Sequence, residues 1–122
     1  MTLAHEATVT TWREPAGPAL RATLVVLPGR GESPQVYDRF GRRLATDAYR
    51  VHAVTAPSED PDRARDELLA VLAAADAAVP RVVVGSDAGA AFAAHLGAAG
   101  ELAAAGALIL AGLAPAPAGA AP

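Results

Sequence analysis

Two short segments concentrate the residues that could do chemistry. They are Pro28-Gly-Arg-Gly-Glu-Ser33 and Gly85-Ser-Asp-Ala-Gly89. Both are glycine-rich, and both run into helical patterns. Free backbone N–H groups and the positive end of a helix dipole would therefore face a ligand at either turn, a setting that favours negative charge. Arg30, Glu32, Ser86 and Asp87 supply the functional side chains. Each also has a plain structural reading. Asp87 caps the third helix well, Glu32 suits the first turn of the first, Arg30 suits a solvated loop, and Gly29 and Gly31 suit a tight turn. The three histidines are scattered. His5 lies near the terminus, His52 in an apolar run where a satisfied core histidine is expected, and His95 within a helix. There is no cysteine and no lysine, which excludes disulfides, thiolate metal sites and a P-loop. Gly29-Arg-Gly31 is only a fragment of a dinucleotide fingerprint, so a mononucleotide binder is a minor alternative. No cofactor or metal is expected.

The elements that must hold these loops are legible as apolar runs. Buried strands are predicted near residues 22–28, 50–55, 81–85 and 107–112. The runs are continuous rather than alternating, as in strands covered on both faces. A weakly alternating stretch, residues 7–12, precedes turn-forming residues 14–18 and predicts an edge hairpin leading into the first buried strand. Helices are predicted near 34–47, 61–78 and 88–99. The first starts at Ser33-Pro34 and carries a stripe of Val36, Phe40 and Leu44, with an Asp38–Arg42 pair on another face. The second starts at Asp60-Pro61, turns Ala64, Leu68, Val71, Leu72 and Ala75 inward, and stops before Pro80. The third turns Phe92, Leu96 and Ala99 inward. The order after the hairpin is β-α-β-α-β-α-β, which implies an α/β fold with a mostly parallel, three-layer sheet. In such sheets ligands bind beyond the carboxyl ends of the strands, where the winding reverses, and the loops after the first and third buried strands would flank that crevice.

Residues 28–33, with Tyr37 and Phe40-Gly-Arg-Arg-Leu-Ala45, resemble the oxyanion loop and first helix of lysophospholipase- and monoglyceride-lipase-type α/β hydrolases. Val82-Val-Val-Gly-Ser-Asp-Ala-Gly89 resembles their nucleophile elbow. The resemblance covers roughly residues 20–113 and implies the N-terminal part of such a sheet, acting on carboxylic or lipid-like esters. Its Gly-x-nucleophile-x-Gly register puts Asp87, rather than serine, in the nucleophile's place between Gly85 and Gly89, as in epoxide hydrolases and haloalkane dehalogenases. Ser86 is the alternative nucleophile, one residue out of register. The oxyanion donors it implies are the backbone N–H groups of Arg30 and Ala88. The fold orders nucleophile, acid and histidine along the chain. After Asp87 only His95 and Glu101 follow, in the wrong order, and His95 would lie about 12 Å along its helix. The isolated chain is therefore expected to lack the triad acid and histidine. A non-catalytic remnant that binds a small anion or a protein partner is the alternative.

At 122 residues, 52% apolar and 19% charged, the chain fits one domain with a real core, thinned by its many alanines. The domain is expected at residues 1–113, with a Pro/Ala-rich disordered tail at 114–122. The net charge of −3 argues against nucleic acid as a partner. No signal peptide is apparent, and the apolar stretch near residues 102–113 is too short to span a bilayer, so a cytoplasmic location is expected. The strand near 107–112 is expected to be an open edge that self-associates or pairs with a partner chain.

Overall fold

The computed structural model describes residues 9–112. Five strands and three helices follow in the order β1 (Thr10–Trp12), β2 (Ala22–Leu27), α1 (Asp38–Thr46), β3 (Tyr49–Ala53), α2 (Pro61–Ala74), β4 (Arg81–Ser86), α3 (Ala88–Ala98) and β5 (Ala107–Ala111). They form one sheet, ordered β1-β3-β2-β4-β5. All neighbours are parallel except β1 and β3. From β2 the chain winds outward to β3 and then returns to the other side for β4. The reversal therefore falls between β2 and β4, and the loops leaving these two strands share one crevice.

Each face of the sheet carries its own core. On one face Leu24, Val26, Val51 and Ala53 pack with Trp12 and with Ala45 of α1. On the other, Val25, Leu27 and Val83 meet Leu68 and Leu72 of α2 and Ala93 and Leu96 of α3. All six residues of β2 are buried, as its continuous apolar run requires. Complete burial of each such Leu or Val side chain contributes about 1.5–3 kcal/mol. Gly41, inside α1, admits the Trp12 ring, which an added Cβ would overlap. The indole N–H of Trp12 then donates to Asp38 Oδ1 at 3.0 Å.

Several local expectations need correction. The N-terminal strand is an edge strand, but it does not form a hairpin with β2. It pairs antiparallel with β3, setting Thr10 opposite Ala53. Residues 34–37 form a 3-10 turn, without a side-chain cap from Ser33, and the α-helix begins only at Asp38. The turn shifts the register, so Val36 and Phe40 are 59% and 38% exposed, while Gly41 and Ala45 face inward. Asp38 and Arg42 do pair, at 2.9 Å, on the exposed side. The second helix starts as expected, with Asp60 Oδ1 accepting the Arg63 N–H at 3.1 Å. It ends at Ala74, short of the expected residue 78. In α3, Ala90 and Ala93 are buried and Ala99 is exposed. Finally, β5 is not covered on both faces: Leu108 and Ile109 are 40% and 52% exposed. The expected tail at 114–122 lies outside the described residues, as does His5.

Candidate functional site

The turn from β4 into α3 is built around backbone contact. Asp87 has φ 52° and ψ −115°, a left-handed conformation that a non-glycine residue holds only under compulsion. The compulsion comes from both sides. A Cβ on Gly85 would stand 2.7 Å from Ala90 Cα and from Gly89 O. A Cβ on Gly89 would overlap the carbonyls of Leu27 and Pro28. Only glycine fits at either place, so β4, α3 and the end of β2 meet at van der Waals distance. The Asp87 N–H donates to Ala111 O at 2.8 Å, which ties the turn to β5 as well. The Asp87 side chain is exposed and makes no capping hydrogen bond, contrary to the plain reading of it as a helix cap. Ser86, one residue earlier, is the last residue of β4.

The loop after β2 lies against this turn. A Cβ on Gly29 would stand 3.0 Å from Ser86 O and 3.1 Å from both Asp87 Cβ and Glu32 Oε1. Gly29 is thus required by close approach, whereas Gly31 is required by its φ of 76°. Glu32 does more than complement a helix dipole. Its Oε1 accepts the Gly29 N–H and the Tyr37 hydroxyl, each at 2.6 Å, and so staples the loop to the 3-10 turn. The Tyr37 hydroxyl is also hydrogen-bonded to the Ser86 side chain. Burial and the bond to Glu32 push the Tyr37 phenol up to about 12. This Glu32–Tyr37–Ser86 chain went unread in the sequence, where Tyr37 figured only as part of a motif. Arg30 is exposed at the loop tip. The N–H of Ala88, at the first position of α3, has no acceptor within its own helix.

The two described histidines, His52 and His95, stay away from the turn. His95 is exposed in the last turn of α3. His52 is half-buried on β3, with Nδ1 2.8 Å from Thr11 Oγ1. Burial, then the nearby Arg13 and Arg50 charges, push its imidazole down to about 4. Among the described residues no three of His, Cys, Asp or Glu gather as metal ligands, and no helix is long and apolar enough to cross a membrane. Among the described residues, four of the surface cavities, of about 280 to 480 Å³, have linings that do not include Asp87.

No protein-family model and no curated protein matches this chain. Among solved structures it is similar to a soluble variant of monoglyceride lipase from Saccharomyces cerevisiae, in complex with a substrate analog. The TM-score is 0.62 at 14% identity, over 76% of this chain and 36% of that one. The chain thus spans little more than a third of that protein's length. The likeness shows the fold: the sheet and its three helices are of the α/β-hydrolase type.

Proposed function

We propose that this chain carries the nucleophile elbow of an α/β-hydrolase-type site, with Asp87 in the nucleophile's place and the N–H groups of Arg30 and Ala88 as oxyanion donors. The observation that carries this reading is the strained backbone of Asp87, held between two glycines that touch neighbouring backbone. Strain at an exposed side chain with no capping role is what an attacking group requires. The general substrate class is ester-like, by resemblance to lipases. A carboxylate at the elbow suits alkylating carbon centres, epoxides and haloalkanes, better than acyl groups, because attack there yields an ester rather than a reactive anhydride.

Ser86 is the weaker nucleophile in this reading. Its neighbour Tyr37 keeps its proton to about pH 12 and cannot serve as a base near neutrality. No described histidine stands beside Asp87 as a base for hydrolysing an ester intermediate, so such a base would have to come from outside the described residues. That gap favours the second reading, a hydrolase-fold module that binds a small anion or a partner without turnover. We extend the proposal to self-association through β5. Its exposed Leu108 and Ile109, and β4 as its single hydrogen-bonded neighbour among the described residues, suit pairing with a second copy.

A panel of a short acyl ester, an epoxide and a haloalkane on the purified chain tests the reading. The expected result is one equivalent of epoxide consumed per chain without turnover, abolished in Asp87→Asn. In that reaction an Asp87 oxygen attacks a ring carbon, the ring C–O bond breaks, and the alkoxide takes a proton from water. Turnover lost in Ser86→Ala but kept in Asp87→Asn would overturn the assignment.

A further inference from the structure

A second carboxylate stands beside the elbow. Glu32 and Asp87 both flank Gly29, where an added Cβ would lie 3.1 Å from Glu32 Oε1 and 3.1 Å from Asp87 Cβ. Glu32 is held in this place. Its Oε1 accepts the Gly29 N–H and the Tyr37 hydroxyl, and Tyr37 is in turn hydrogen-bonded to Ser86, the residue before Asp87. Bonds from the loop and from the 3-10 turn therefore fix the Glu32 carboxylate next to the attacking group.

The same bonds use up donors that would otherwise favour an anionic ligand. The Gly29 N–H is taken by Glu32, and the Asp87 N–H by Ala111 O. The negative charge that the N-terminus of α3 attracts is supplied by the chain itself, at Asp87. Arg30, the cation of the loop, is exposed at its tip, whereas Glu32 is half-buried. Water and salt screen a half-buried charge less than an exposed one, so the field of Glu32 reaches the crevice more strongly than that of Arg30.

We propose that Glu32 is a specificity-determining residue of the elbow, whose fixed charge admits uncharged or cationic electrophiles and turns anionic ones away. The inference rests on Asp87 as the attacking group, and it speaks against a small anion as the ligand. Glu32 touches no reacting atom. It acts through its field on the charge that a substrate carries next to the carbon under attack.

The test compares alkylation of Asp87, read by peptide mapping, for three small epoxides: neutral glycidol, cationic glycidyltrimethylammonium and anionic glycidate. In each case an Asp87 oxygen attacks a ring carbon, the ring C–O bond breaks, and the alkoxide takes a proton from water. The three differ in intrinsic reactivity, so each rate is taken relative to glycidol and compared between variant and wild type. Glu32→Gln keeps an oxygen able to accept both hydrogen bonds and removes only the charge. It is expected to lower the relative rate of the cation and raise that of the anion, each by roughly threefold to tenfold, the scale of one unit charge about 7 Å away in partly screened surroundings. Glu32→Asp, which keeps the charge and shortens the reach, should hold the wild-type ratios even where it slows all three reactions. Added salt should compress the wild-type ratios toward those of Glu32→Gln. An Asp87 adduct whose ratios are unchanged in Glu32→Gln, or rates that fall equally for all three epoxides, would leave Glu32 a structural staple and overturn the proposal. No adduct on Asp87 with any epoxide would instead refute the elbow reading on which it rests.

Discussion

At Asp87, strain and chemistry make opposed demands, and the opposition can be measured. A non-glycine residue in such a conformation costs roughly 1–3 kcal/mol, and glycine removes that strain at an entropic cost of about 0.5–1 kcal/mol. Asp87→Gly is therefore expected to raise stability by about 1 kcal/mol in urea unfolding, while abolishing reaction with an epoxide. A stability loss would mean that Asp87 is not strained. His52 offers a second residue-scale test. Its folded pKa of about 4 lies below the ordinary value of 6.5, so the unfolded chain binds more protons between the two. Stability from this group is present above pH 6.5 and is lost as pH falls toward 4, by about 1–2 kcal/mol after allowance for solvent screening. His52→Gln should flatten the stability profile across that window, and an unchanged profile would refute the shift. Asp87 was legible because glycines two residues either side frame it. The Glu32–Tyr37 brace was not, because a five-residue spacing across a loop and a 3-10 turn leaves no periodic trace.

The elements obey the same division between local and non-local signals. Asp60-Pro61 marked the start of α2 because capping and the fixed proline φ are local effects. Ser33-Pro34 looked the same but opened a 3-10 turn, since Tyr37 is drawn toward Glu32 and Ser86 rather than into an α-helical register. Strand pairing lies further from the sequence still. β1 and β2 are near in the chain, yet β1 closes on β3, where Arg50 finds Glu14 and Trp12 finds Gly41. Arg50 and His52 alternate with buried Val51 and Ala53, a period of two that marks one uncovered face. The packing of β4, α3 and β2 makes a firm prediction at Gly89. An added methyl there overlaps backbone that cannot yield, so Gly89→Ala should cost roughly 2–4 kcal/mol in thermal unfolding. A near-neutral effect would show that α3 does not press on the end of β2.

For the molecule as a whole, the alternation of strands and helices dictated the α/β class, and the winding reversal between β2 and β4 brought the two glycine loops together as that class requires. What alternation could not reveal is exposure at β5. An apolar strand reads the same whether or not anything covers it, and Ala107–Ala111 is largely open. Sedimentation should therefore detect self-association rising with concentration, and Ile109→Lys should reduce it; a monomer at every concentration would exclude pairing through this edge. The site itself rests on one turn, and peptide mapping after exposure of the folded chain to a reactive epoxide tests that turn most directly. A single hydroxyalkyl ester on Asp87, absent from the urea-unfolded chain under the same conditions, is the expected result. An adduct on Glu32 or Ser86 instead, or equal labelling of all exposed carboxylates, would contradict the assignment of Asp87 as the attacking group.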